Sequence, residues 1–141
     1  IFALVIIISR PIVGKIYARY GSKIIIYTGL GLFILGLFGL GLAITPLTIL
    51  FTAPLLGLGY GAAQPAFQAL AIQSAPIERA GVSTATYFLA LDISVGAGSV
   101  ILAVLASAWD YQYLYMFTAL VMVIALALYH IWVKRYIPLE L

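Results

Sequence analysis

Apolar residues run along this chain in blocks far longer than a soluble helix or strand needs, and polar residues gather in short stretches between them. Between Lys23 and Glu78 lie 54 residues without a formal charge. One crossing of the ~30 Å hydrocarbon layer takes about 20 apolar residues, so this stretch holds two crossings and a tight turn. Thr45-Pro46 marks the turn, because proline suits the first turn of a helix and disfavours the helical region for the residue before it. The pattern predicts helices over 24–44 and 47–72, then over 80–108, interrupted only by Asp92, and over 113–133. Residues 1–13 read as the end of a truncated helix, 14–23 as a loop and 134–141 as a tail. The chain opens at Ile1 in an apolar run, and its first charge, Arg10, follows that run, the reverse of a signal peptide. The expectation is an all-α, polytopic transmembrane helix bundle that is a piece of a longer protein.

Composition agrees. Of 141 residues, 65% are hydrophobic and 8% charged, and the mean hydropathy is +1.20. Soluble domains are about 45–50% apolar and about 25% charged, and a domain of this size leaves about a third of its unfolded surface in water. A soluble protein, a disordered region and a nucleic-acid binder are therefore disfavoured. The solvent is a lipid bilayer. Cysteine is absent, which removes disulfides, thiolate metal sites and cysteine nucleophiles. No cofactor or metal is expected.

Charge sets the orientation. Arg10, Lys15, Arg19 and Lys23 precede the first full crossing, Arg79 lies in the third connection, and Lys134 and Arg135 lie in the tail. Alternate connections lie on opposite sides, so all 7 basic residues fall on one side. The positive-inside rule makes that side cytoplasmic. Trp109, Tyr111, Tyr113 and Tyr115 cluster at the outer edge, and Tyr129, Trp132 and Tyr136 at the inner one, as interfacial aromatic belts do.

Three sets of residues carry candidate chemistry. Gly29, Gly31, Gly36, Gly39 and Gly41 let helix backbones approach closely, and packing alone accounts for them. Gly57, Gly61, Gln64 and Gln68 fall on one helical face, with Pro65 removing a backbone hydrogen bond from the same helix. Two amides on one stripe are expected either to hydrogen-bond a neighbouring helix or to line a pathway. Asp92 is an ionisable group near mid-bilayer, costly unless it faces protein or water. Its face carries Gly81, Thr84, Ala85, Phe88, Gly96 and Ser99, while Ser83, Tyr87 and Ser94 lie opposite, so the helix is expected to be enclosed on both sides. Asp92 reads as a proton, cation or substrate site, or as a structural anchor. His130, beside Lys134 and Arg135, reads as an interfacial residue. No nucleophile–base pair or carboxylate pair is present, so an enzyme is not expected.

The stretch Gly14-Lys15-Ile16-Tyr17-Ala18-Arg19-Tyr20-Gly21-Ser22-Lys23 resembles the signature loop of the major facilitator superfamily, G-x-L-x-D-R-x-G-R-K. Gly14, Arg19, Gly21 and Lys23 match, Ile16 stands for Leu, Ala18 replaces the acidic residue and Ser22 a basic one. The loop occurs twice in that family, and the degenerate form with a leading Arg10-Pro11 is similar to the second copy. The stretches from Gly57 to Pro65, Pro76 to Gly81 and Asp92 to Gly98 resemble helices 10 and 11 of drug- and sugar-efflux members. The resemblance implies the end of helix 8 through helix 12 of a twelve-helix transporter. If the loop were the first copy, the chain would hold helices 2 to 6 instead.

The function so implied is part of a secondary transporter that moves small organic solutes by alternating access, as proton-coupled efflux, in a bacterial plasma membrane. Asp92, Phe88, Thr84, Gln64 and Gln68 are the expected substrate or proton pathway, and Gly14, Arg19, Gly21 and Lys23 the gating loop. The expected partners are a small-molecule substrate, protons, lipid and the missing half of the same transporter, with no nucleic acid. The alternative is a non-transporting membrane assembly or structural protein.

Overall fold

The structure, a computed structural model, describes residues 2–136. Its elements are α1 (Phe2–Gly41), α2 (Pro46–Gln73), a short 3-10 turn (Ile77–Arg79), α3 (Ala80–Ala108) and α4 (Tyr111–Tyr136). No strand occurs among the described residues. Among the described residues four stretches are long and apolar enough to cross a membrane: Lys23–Gly41, Pro46–Gln73, Ile77–Ala108 and Tyr111–Trp132. The architecture is an all-α membrane bundle.

α1 is two helices joined at a break. Only Gly21 leaves helical geometry, with φ 78 and ψ 175. The expected loop over 14–23 is thus helical on both sides of one glycine, and Arg10 lies inside the first helix. Residues 15–20 all tolerate a helix, so the turn falls to the one residue that adopts positive φ without steric cost. The break brings Val13 back against the core.

The start of α2 is locally determined. Thr45 is extended (φ −121, ψ 151), the Thr48 N–H donates to its Oγ1, and its own N–H donates to Thr48 Oγ1. Pro46 follows at the first helical position, where its missing N–H costs nothing. At the other end the Ser74 hydroxyl donates to the Leu70 carbonyl at 2.7 Å.

The core is where α1 crosses α2, with α4 against the pair. Ile25, Ile26 and Leu30 pack on Ala62, Ala63, Ala66 and Leu70, and Met122, Leu126 and Tyr129 close over them. Contacts run antiparallel throughout. Gly29 meets Gly59 and Gly39 meets Thr52, while Gly41 touches Met116 and Tyr27 touches His130. Ser83 at the start of α3 meets Ala71 near the end of α2. One end of the bundle therefore collects the break at Gly21, the α2–α3 connection and the end of α4. The basic residues from Lys15 onward lie at that end in chain position, and the opposite end carries only Asp110.

α3 departs from expectation. None of its residues is buried, although its sequence is as apolar as the other crossings. It is attached rather than enclosed. Ser83 donates to the Ala71 carbonyl at 2.6 Å and Tyr87 to the Gln64 carbonyl at 3.1 Å.

Candidate functional site

The two pins fix the rotation of α3. Ser83 and Tyr87, one turn apart, turn toward α2 and hold it through backbone carbonyls that are always available as acceptors. Phe88 follows directly, and at helical spacing it stands beside this contact, at the edge of the α2–α3 junction.

A cavity of about 590 Å³ opens there, lined by Gln64, Gln68, Ala69 and Pro65 from α2, Phe88 from α3 and Gly14 from the first helix. Four residues singled out on separate stretches of sequence, Gly14, Gln64, Gln68 and Phe88, share this one wall. Gln64 and Gln68 are half-buried. Among the described residues neither carboxamide side chain has a hydrogen-bond partner; the Gln64 bond uses its backbone carbonyl. Of the two expectations for these amides, the described residues show the lining of a cavity and no side-chain bond to a neighbouring helix.

Thr84 and Asp92 are not among the lining residues. The Thr84 hydroxyl donates to the Ala80 carbonyl one turn back, at 2.8 Å, and so satisfies its own helix. Asp92 is exposed, near the middle of α3 and one turn beyond Phe88 on the same face. No ion pair involves it among the described residues. A rise of 1.5 Å per residue puts it about 18 Å along α3 from Ala80, deep in any bilayer the helix crosses.

The proposed gating residues separate by role. Gly14 lines the cavity, and Gly21 makes the break. Arg19 is exposed with its guanidinium 5.6 Å from the centre of the Tyr20 ring, and Lys23 is exposed. No group of three metal-ligating side chains stands together among the described residues.

Sequence reasoning assigned no role to Ser83 and Tyr87, and it read His130 as merely interfacial. His130 Nδ1 lies 2.6 Å from the Tyr27 hydroxyl, and Tyr27 and Phe67 both pack edge-on against Tyr129. The spacing of Ser83 and Tyr87 at i and i+4 was the available signal for the pins. The Tyr27–His130 contact joins residues 103 apart and had no local signal.

A family model described as the Major Facilitator Superfamily matches residues 1–139. The chain belongs to this superfamily. No curated protein and no solved structure matches it. Major facilitator proteins are membrane transporters, so the four crossings belong to a transporter, and an integral membrane setting with a small-molecule substrate follows from membership.

Proposed function

We propose that this chain forms part of the C-terminal half of a twelve-helix transporter that exports small organic solutes in exchange for protons. The observation that carries the reading is the cavity beside α2, where two carboxamides without side-chain partners among the described residues, and an aromatic ring, line a space whose other described walls are small or apolar. Membrane interiors do not retain unsatisfied amides without reason, because lipid offers them nothing.

Asp92 supplies the coupling proton site in this reading. A carboxylate at that depth is costly against lipid, and α3 has no buried residue. The opposing half of the transporter, or water between the halves, covers this surface. The degenerate loop around Gly14 and Gly21 supports the second-half placement, and the basic end of the bundle is cytoplasmic by the positive-inside rule. Arg19 and Lys23 then lie at the cytoplasmic gate, and the chain ends in the cytoplasm.

The test is flux. The full transporter carrying this chain, purified into liposomes, is expected to move an organic solute against its gradient when a proton gradient is imposed, and to stop when the gradient is collapsed. The isolated crossings are expected to give no saturable flux, since alternating access needs two bundles rocking about one site. Saturable flux by these crossings alone, or none by the full protein with any solute, contradicts the proposal.

A further inference from the structure

We propose that the cavity beside α2 takes an uncharged solute with a row of hydrogen-bonding groups along one edge and an apolar face on the other. This rests on the transporter reading and names the substrate class of the same site.

The polar part of the wall is a pair of carboxamides. Gln64 and Gln68 are one helical turn apart, so their Cβ atoms stand about 5–6 Å from each other. That is close to the separation of substituents at opposite corners of a six-membered ring. Each amide donates through its NH₂ and accepts through its carbonyl, and a hydroxyl or amide on the solute does both in return. Because neither side chain has a partner among the described residues, such a solute satisfies groups that are otherwise half-buried and unpaired. A site of this kind discriminates strongly against analogues that lack the polar groups, since those leave its own donors and acceptors stranded.

The rest of the wall argues against an ion. None of the described residues lining the cavity carries a formal charge. An ion entering it sheds water and meets no opposite charge on those lining residues, which is far more costly than burying a neutral polar group. Phe88 stands on α3 at the edge of the same cavity and offers a ring face on which an apolar or flat surface can lie. The volume, about 590 Å³, falls within the roughly 300–1,000 Å³ of sites that enclose a drug-sized molecule. Asp92 lies outside the lining and stays available for the proton. Solute recognition and proton coupling thus occupy neighbouring turns of α3 rather than one group.

The experiment is equilibrium binding to the full transporter in liposomes, with three probes built on one aryl group: an aryl glucoside, the aryl glucuronide and an aryl trimethylammonium ion. The neutral glucoside is expected to bind at least tenfold more tightly than either ion. Gln64→Leu combined with Gln68→Leu keeps the volume and removes the amides, and is expected to weaken glucoside binding at least tenfold. If that variant does not fold, Gln64→Glu serves instead, and is expected to shift preference from the glucoside toward the ammonium ion. Equal or tighter binding of either ion, unchanged glucoside binding in the Leu variant, unchanged preference in the Glu variant, or no binding of any probe overturns the inference. Proton-driven flux of charged solutes leaves the transporter reading standing and removes only this substrate class. Absence of any driven flux removes both.

Discussion

Gly29 and Gly59 meet backbone to backbone where α1 crosses α2. A methyl group on Gly59 would lie 2.7 Å from the Gly29 carbonyl oxygen and 2.5 Å from the Phe33 nitrogen, and one on Gly29 would lie 3.1 Å from the Gly59 carbonyl oxygen. The neighbours are main-chain atoms, which cannot swing aside as the end of a long side chain can. This crossing explains why Gly29 and Gly59 are glycines, whereas Gly31 has nothing within 4 Å of an added methyl: in lipid, close packing replaces the hydrophobic effect as the force between helices.

Gly59→Ala should therefore force the two helices apart and destabilise the bundle by roughly 1–3 kcal/mol, the usual range for overpacking. Gly96→Ala, where a methyl group meets nothing within 4 Å, should be neutral or slightly stabilising. Thermal unfolding of both variants in detergent is the check. Equal midpoints would show that the crossing is looser than described.

Gly21 is a different case, since its constraint is conformational. Alanine there is held at positive φ with extended ψ, a region essentially confined to glycine, at a cost of about 1–3 kcal/mol, whereas Gly14→Ala sits in a helix with open space around the new methyl. The same unfolding assay should show a loss for Gly21→Ala and none for Gly14→Ala. A stable Gly21→Ala protein would mean that the break can move to another residue.

The attachment of α3 rests on two hydroxyls. Tyr87→Phe and Ser83→Ala each remove one interhelical hydrogen bond, worth on average about 0.6 kcal/mol inside a membrane protein. Each should speed hydrogen exchange of the α3 backbone roughly threefold if that helix opens as a unit. The two differ in reach. Tyr87 bonds the backbone of Gln64, a cavity residue, so Tyr87→Phe should also raise the KM for transport, while Ser83→Ala should not. Equal KM effects would reduce both to simple anchors.

Arg19 stands exposed at the break, and in the proposed transporter it latches the cytoplasmic gate. Removing one charge-assisted hydrogen bond costs about 1.5–3 kcal/mol, so Arg19→Ala should slow transport roughly tenfold or more while solute affinity changes little. Transport rate and binding measured side by side decide this. A variant that keeps its rate but binds weakly leaves Arg19 with topology alone.

The membrane bundle was legible in sequence because its cause is compositional: long uncharged runs have few alternatives to crossing a bilayer. The turn before Pro46 was legible because a proline acts on its own neighbours; the Thr45 cap came only with the structure. The single-residue break at Gly21 was not. Residues 15–20 are polar enough to suggest a loop and yet good enough helix formers to continue one, and backbone geometry decided between these. The rotation of α3 was hidden for a related reason. Both of its faces carry hydroxyls, and only the carbonyls of α2, which sequence does not display, select Ser83 and Tyr87 as the attached side. The gathering of Gly14, Gln64, Gln68 and Phe88 into one wall depends on that rotation and on the fold-back at Gly21, so no stripe on a single helix could reveal it.

Coupling through Asp92 is the central claim, and the Asn variant tests it most directly. Asp92→Asn preserves shape and most hydrogen bonding but cannot take up or release a proton. In proteoliposomes holding the full transporter, this variant should fold, exchange solute down a concentration gradient, and fail to accumulate it when only a pH gradient is applied. Full pH-driven accumulation by Asp92→Asn would contradict the account, and so would loss of folding in both Asp92→Asn and Asp92→Ala, which would make the carboxylate a structural anchor.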